Sequence, residues 1–93
     1  MANYRVFETD GFQKDLKKIS KSGIQRIRAK LVQYVYPQLR DEPHFGLNIK
    51  RLRNWEPVTW RYRIGSWRFF YEIDEQDKII YMTVANHRSS AYE

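Results

Sequence analysis

The sequence predicts an α+β fold in which a helical hairpin packs on one face of a largely antiparallel sheet, in the order β-α-α-β-β-β. Three observations lead to this prediction. Apolar residues recur at helical intervals before Pro37, the period changes to two after Ile49, and turn residues separate the later apolar runs. A chain of 93 residues is long enough for one modest core and too short for two. We therefore expect one domain over residues 1–93.

The first half of the chain predicts a short strand followed by two helices. Residues 4–8 alternate between apolar and polar side chains, and Thr9 or Asp10 can then cap a helix. Gly23 is expected to break this helix, and the second helix is expected to end near Pro37. The expected apolar stripes are Phe12, Leu16 and Ile19 in the first helix, and Ile27, Leu31, Tyr34 and Val35 in the second.

The second half predicts a loop over residues 40–48 and then three strands. Gly65-Ser66 is typical of a two-residue hairpin turn with glycine first, and residues 75–77 turn the chain again. The last strand is apolar on both faces, as expected of a central strand. The three strands are expected at residues 60–64, 67–74 and 78–86.

Arginines alternate with large apolar side chains along the first two of these strands. Arg61, Arg63 and Arg68 should therefore share one face of the sheet while the apolar residues fill the other. A guanidinium is planar, permanently charged and suited to bidentate capture of phosphate. A sheet also positions it better than a loose tail does. The pattern predicts phosphate binding or phosphate chemistry.

The charge distribution favours an anionic partner. The formal net charge is +6, the isoelectric point is near 9.7, and residues 50–68 hold six Lys/Arg against one Asp/Glu. Nucleic acid is the first expectation and a membrane surface the second. The sequence has no long apolar run, signal-peptide pattern or lipidation motif, so we expect no membrane association. The absence of cysteine agrees with a cytoplasmic location.

Aromatic residues make up 16% of the chain, and most of them are expected in the core. Three occupy positions that leave them free to stack on a nucleobase, namely Trp55, Phe70 and Tyr92. Trp55 lies in an expected loop, where partner binding and simple packing are both open.

The two histidines, His44 and His87, do not have metal-ligand spacing, so we expect a function without a metal. His44 is expected in a loop. His87 follows the last strand and precedes Arg88, whose fixed charge disfavours a charged imidazole. His87 is therefore a candidate proton-transfer group, although a surface histidine at a strand end would have the same sequence context.

Four segments and one terminal residue carry a combined pattern, namely residues 12–18, 48–52, 60–73 and 86–88 with Tyr92. Across the hairpin the pattern is aromatic, Arg, variable, Arg, apolar, Gly, variable, aromatic, Arg and then an apolar stretch into Tyr-Glu-Ile. This pattern resembles the RelE/ParE superfamily of toxins from toxin–antitoxin systems, and more narrowly its RelE-type branch, which cleaves mRNA. The resemblance spans nearly the whole chain.

The resemblance implies the β-α-α-β-β-β fold, a cognate antitoxin, and metal- and cofactor-free cleavage of mRNA in the ribosomal A site. The implied catalytic residues are Arg61, Arg68, His87, Arg88 and Tyr92. The RNA- and ribosome-binding residues are expected from the basic charge of the chain, with Arg63 also implied by the resemblance, and they are Lys14, Lys17, Lys18, Lys50, Arg51, Arg53 and Arg63. The six cations between residues 50 and 68 come from neighbouring elements and are expected to converge, namely Lys50, Arg51, Arg53, Arg61, Arg63 and Arg68.

Two questions stay open at this point. Some RelE-type toxins have lysine where this chain has Arg61 and Arg63, and arginine is a poor proton donor or acceptor. Either His87 or Tyr92 would then transfer the proton. In addition, ParE-type relatives share the fold but act on DNA gyrase, so the fold alone does not identify the target. A basic antitoxin- or DNA-binding module without activity of its own is a third reading.

Overall fold

The structure is a computed structural model that describes residues 3–18 and 21–87, with only the backbone described at positions 21 and 22. The helices are α1 (Asp10–Lys17), α2 (Lys21–Lys30) and α3 (Tyr36–Asp41), with a π-helical turn at Leu31–Val35 between the last two. The strands are β1 (Arg5–Glu8), β2 (Ile49–Arg51), β3 (Trp60–Ile64), β4 (Trp67–Asp74) and β5 (Ile79–His87). The expected α+β fold is confirmed.

The five strands form one sheet in the order β1-β5-β4-β3-β2. β1 is parallel to β5, and the other neighbours are antiparallel. Parallel neighbours need a long connection, and here the helices together with β2, β3 and β4 lie between β1 and β5 in the chain. β2 is a short edge strand that was not expected from the sequence, because three residues are too few to establish an alternation.

The helix boundaries differ from the expected ones in two places. α2 begins at Lys21, so Gly23 lies inside it and does not break the first helix. The helical path also continues past Pro37 to Asp41. Proline has no N–H to donate, and here it occupies the first turn of α3, directly after the π-helical turn, where the backbone hydrogen-bond pattern changes.

The π-helical turn changes which side chains are buried. Tyr34 was expected in the apolar stripe but is 60% exposed, whereas Tyr36 and Leu39 are buried. A π turn adds a residue to the helical repeat, so the positions within it, such as Tyr34, and after it rotate out of the 3.6-residue phase. The sequence pattern assumed an unbroken α-helix and therefore assigned Tyr34 to the wrong face.

The core lies between the helices and one face of the sheet. Fully buried side chains from both layers meet there, namely Phe12, Leu16, Leu31, Val35, Leu39, Phe69, Tyr71, Ile80 and Met82. Each such side chain contributes about 1.5–3 kcal/mol by leaving water. This packing leaves β3, β4 and β5 with one covered face and one face turned away from the helices.

Tyr71 connects the core to the loop after α3. Its hydroxyl donates a hydrogen bond of 2.7 Å to the Pro43 carbonyl, and burial raises the pKa of the phenol. We expect Tyr71→Phe to lower the free energy of unfolding by about 1–3 kcal/mol, because the buried carbonyl loses its donor. Urea unfolding measures this change. Tyr81→Phe, which removes a partly exposed hydroxyl on the other face, should change stability little, and equal losses would contradict the assignment.

His44 joins the loop after α3 to the β4–β5 turn. Its Nδ1 lies 2.8 Å from Glu42 Oε2, and its Nε2 lies 2.6 Å from Glu75 Oε2. Glu75 also accepts a 2.9 Å hydrogen bond from the Tyr4 hydroxyl. Partial burial by itself lowers the pKa of His44, but the hydrogen bonds to Glu75 and Glu42 outweigh it, so the pKa lies above its ordinary value. His44, which was expected only to lie in a loop, thus connects the carboxylates of Glu42 and Glu75, and we call this contact the clamp.

The clamp makes stability depend on pH. Because the pKa of His44 is raised on folding, its contribution is complete below about 6.5 and is lost as pH rises through the folded pKa. Burial alone would raise the pKa of Glu75, but its hydrogen bonds with His44 and Tyr4 outweigh this, and the hydrogen bonds with His44 lower the pKa of Glu42. The contribution of both carboxylates is therefore lost as pH falls below about 4.5. We expect thermal melting to show this loss above about pH 6.5 and His44→Gln to abolish it. An unchanged pH slope in His44→Gln would contradict the clamp.

Candidate active site on the open sheet face

The face of the sheet turned away from the helices carries a cluster of cations. We call Lys50, Arg61, Arg63 and Arg68 the arginine face. Arg61 and Arg63 alternate with buried Tyr62, and Arg68 precedes buried Phe69, so their side chains project on the side opposite the core. The register places Lys50 beside Arg61 and Arg63 beside Arg68. The predicted shared face of Arg61, Arg63 and Arg68 is present in the structure.

The cations of the arginine face have no acidic partners within residues 3–18 and 21–87. The ion pairs of that part of the chain involve Lys18, Arg28 and His44 instead. Arg63 and Arg68 lie directly opposite each other, an arrangement of like charges that destabilises a sheet. The Arg61 Nε is buried and has no acceptor among the described residues. A bound phosphate would relieve both features at once.

The geometry of the arginine face suits an extended anion. Neighbouring strands are about 4.8 Å apart, and two residues along a strand span about 7 Å, so the four cations form two rows. Arg61 and Arg63 line a cleft of about 430 Å³ that reaches the β3–β4 turn. Gly65, in that turn, has φ +57°, as expected of the first turn position. The tight turn keeps Arg63 and Arg68 at the same end of the sheet.

The other predicted binding residues do not all converge on this face. Lys14 and Lys17 are exposed on α1, Lys18 is exposed directly after it, and Lys18 pairs with Asp15 at 3.9 Å. Arg51 is in register with Trp60, so its side chain takes the helix side of β2. Arg53 lies in the β2–β3 loop and lines a separate cleft with Arg51. The convergence predicted for residues 50–68 therefore holds for four of its six cations.

His87 projects on the opposite side of the sheet from the arginine face. It is in register with Trp67, and the two rings are 5.0 Å apart between centroids in an edge-to-face arrangement. The reason is a β-bulge. Phe70 pairs with Val84 and Tyr71 with Met82, so Thr83 is an extra residue that reverses the alternation of β5 after it. The sequence pattern contained no sign of this bulge.

The same bulge brings two unexpected residues into the site region. The Ala85 N–H donates a 3.0 Å hydrogen bond to Asp15 Oδ2 on α1, which ties the end of β5 to the helical layer. Asn86 is turned to the open face and lies directly opposite Arg68. Its amide can donate to or accept from a ligand held by the arginine. Arg88 and Tyr92, the other two predicted catalytic residues, lie outside the described residues.

Within residues 3–18 and 21–87, no group of three His, Asp or Glu side chains is arranged to hold a metal ion. None of the helices described is both long and apolar enough to cross a membrane.

Solved structures similar to this one include toxins and toxin–antitoxin complexes. The RelBE2 toxin–antitoxin complex of Mycobacterium tuberculosis contains a chain with 30% identity and a TM-score of 0.72, covering 92% of this chain and 99% of that one. The archaeal RelE–RelB complex of Pyrococcus horikoshii contains one with 23% identity and a TM-score of 0.67, covering 95% and 97%. A metal-bound toxin of Helicobacter pylori has 19% identity and a TM-score of 0.73, covering 92% and 96%. The last two show the fold alone.

A family model connects this fold to a biological system. Residues 6–91 match the model of the ParE toxin of the type II toxin–antitoxin system parDE. No curated protein sequence matches the chain significantly. The match takes in every strand and helix of the structure except the first residue of β1, together with the whole arginine face. The chain therefore belongs to the ParE toxin family and is a type II toxin of the RelE/ParE superfamily.

Proposed function

We propose that this toxin is an endoribonuclease that cleaves mRNA, at the ribosomal A site, through metal-independent attack of a 2′-hydroxyl on the adjacent phosphorus. One observation carries the proposal. The arginine face holds four cations with no ion-pair partner among the described residues, and one of them has a buried donor without an acceptor. Such a surface is suited to the charge of an RNA backbone and of a phosphorane transition state.

The arginines supply the electrostatic part of this reaction. As the 2′-oxygen attacks, negative charge grows on the non-bridging phosphate oxygens, and preorganised cations lower the barrier most when they contact those oxygens. Arg61 and Arg68 lie on adjacent strands of one rigid sheet, which limits their motion. We assign both to the transition state and propose Arg88 as a third cation. Arg63 holds a neighbouring phosphate.

The proton-transfer step favours Tyr92 over His87. A base must lie within hydrogen-bond reach of the 2′-hydroxyl, and His87 is separated from the arginine face by the sheet itself. A tyrosine serving as base needs neighbouring cations to favour its phenolate, which the arginine face would provide. We therefore assign the proton transfer to Tyr92 and a packing role beside Trp67 to His87.

The remaining cations are proposed to hold the ribosome and not to act in the chemical step. Lys14, Lys17 and Lys18 form an exposed basic row on α1, and Arg51 and Arg53 extend the basic surface past the sheet edge. Cations spread over two layers suit a large polyanion such as rRNA. This target places the toxin's action in the cytoplasm.

A cognate antitoxin is the second proposed partner. Several of the similar structures are toxins solved in complex with an antitoxin, RelB in the archaeal case. We propose that an extended acidic or amphipathic segment neutralises the arginine face by folding onto it. Contacts to the arginine face should weaken with salt more than the apolar contacts do.

Gyrase poisoning is the competing function, and the ParE family model is the observation that favours it. The two functions are separated by inducing the toxin in cells, mapping mRNA 5′ ends and measuring chromosomal DNA breaks. We expect new mRNA ends within translated regions and no rise in breaks, with Arg68→Ala abolishing the new ends. Accumulating DNA breaks with intact transcripts would establish the gyrase function instead.

A further inference from the structure

An exposed tryptophan is held in place by the loop between β2 and β3. The Leu52 N–H donates a 3.0 Å hydrogen bond to the Thr59 carbonyl, which closes the base of the loop. The hydroxyl of buried Thr59 donates a hydrogen bond of 2.9 Å to the Pro57 carbonyl. Asn54 adopts a left-handed φ of +62°, which asparagine tolerates better than most residues. Trp55 follows directly and is thus presented by an ordered turn.

Trp55 packs against Phe70 on the open face of the sheet. The two ring centroids are 5.6 Å apart with an interplanar angle of 51°, and 48% of Trp55 is exposed. Phe70 lies opposite Arg61 in the register, so this aromatic pair borders the arginine face directly. The core lies on the other side of the sheet and does not use either ring. Exposed aromatic area of this kind is typical of a binding surface.

The cleft beside Trp55 is large enough for a nucleotide, and its lining combines an aromatic ring with two arginines and one carboxylate, that of Glu56. Its volume is about 530 Å³, within the range of small-ligand pockets. The lining residues are Arg51, Leu52, Arg53, Asn54, Trp55, Glu56 and Val58. Neither arginine has an ion pair within the described part of the chain. An aromatic wall beside free guanidinium groups suits a base with its phosphate.

We propose that Trp55, backed by Phe70, stacks one unpaired nucleobase of the substrate RNA. The phosphates on either side of that base lie on Arg53 and on Arg61. The identity of the strand rests on the proposed ribonuclease function, whereas the stacking site itself does not require cleavage. The site would hold the RNA in one register relative to Arg68 and thereby choose which phosphate is cut.

A second aromatic pair on the same face provides a matched control. Phe7 packs edge-to-face on Tyr81 at 5.8 Å and is 55% exposed. Tyr81 lies opposite Glu72, so a carboxylate neighbours this pair where an arginine neighbours Phe70. If exposed aromatic area alone attracted RNA, Phe7→Ala and Trp55→Ala would weaken binding equally.

The test is a coupling measurement between the protein and the RNA. Seven 2′-O-methyl RNA hexamers are used, because the methyl group prevents cleavage by the 2′-hydroxyl. One hexamer is intact, and each of the other six lacks the base at a different position. Fluorescence anisotropy measures the affinity of the protein for each hexamer. Trp55→Ala should weaken binding of the intact hexamer by about 5- to 140-fold, which corresponds to about 1–3 kcal/mol per stacked base. For the hexamer whose missing base belongs to the site, the same substitution should have almost no effect. Trp55→Phe should retain most of the affinity.

Salt dependence distinguishes stacking from charge. Arg53→Gln should reduce the slope of log K against log salt by about 0.7, since one phosphate contact is lost, whereas Trp55→Ala should leave the slope unchanged. The proposal would be overturned if Trp55→Ala weakened the binding of all seven hexamers equally. It would also be overturned if Phe7→Ala weakened binding of the intact hexamer as much as Trp55→Ala does. If the toxin cleaves transcripts but the effect of Trp55→Ala does not depend on which base is missing, only the stacking site is rejected. If the effect of Trp55→Ala does depend on the missing base but no transcript is cleaved in cells, only the ribonuclease function is rejected.

Discussion

Arg68→Gln is expected to lower the single-turnover rate of mRNA cleavage by about 100- to 1,000-fold, with ribosome binding largely retained. The reason is the position of Arg68 on the arginine face, where its guanidinium would contact oxygens that gain charge only in the transition state. Under the proposed function, the exposed lysines Lys14, Lys17 and Lys18 and Arg53 would still attract rRNA in this variant. Single-turnover cleavage on programmed ribosomes gives the rate, and co-sedimentation gives the binding.

The same substitution has an opposite effect on stability. Removing one of two like charges that face each other across β3 and β4 should raise the free energy of unfolding by roughly 0.2–1 kcal/mol. Arg26→Gln is the matched control, because Arg26 is exposed on α2, away from the arginine face. Arg26→Gln should change neither the cleavage rate nor the free energy of unfolding. A destabilised Arg68→Gln protein, or cleavage reduced only in proportion to binding, would show that Arg68 has a structural role.

Tyr92→Phe is expected to lower the cleavage rate by about 100- to 10,000-fold, the usual contribution of a positioned proton-transfer group. It should also remove one limb of the pH–rate profile, because the ionising hydroxyl is gone. His87→Gln should change the rate little, since the β5 bulge directs His87 to the helix side of the sheet beside Trp67. Rates measured across pH under single-turnover conditions distinguish the two residues.

Two controls accompany this prediction. Tyr34→Phe removes a hydroxyl from an exposed tyrosine in the helical layer and should leave the rate and its pH profile unchanged. A substrate with 2′-deoxyribose at the scissile nucleotide should not be cut at all. If that substrate were cleaved at the normal rate, the 2′-hydroxyl mechanism and the role of Tyr92 would both be wrong. If His87→Gln instead of Tyr92→Phe altered the pH profile, the proton would pass through His87.

The sequence alone determined the parts of this molecule that depend on short repeats. Alternation of Arg61 and Arg63 with Tyr62 was enough to assign two sheet faces, and Gly65 was enough to place the hairpin turn. These features are local, because a strand's period of two and a glycine's freedom at positive φ act within a few residues. The α+β fold and the arginine face could therefore be predicted before the structure was known.

Where the alternation or the helical repeat is interrupted, only the tertiary structure decided the outcome. The π-helical turn moved Tyr34 out of the core, and the extra residue Thr83 moved His87 to the side opposite Arg68. A single inserted residue reverses every later side chain of a strand, and its energy depends on contacts distant in sequence, here the Ala85 N–H with Asp15. The pairing of Trp55 with Phe70 is likewise a contact between a loop and a strand. No repeat in the sequence encodes such contacts. The residue types of the site could therefore be predicted, but the face of the sheet that each residue occupies could not.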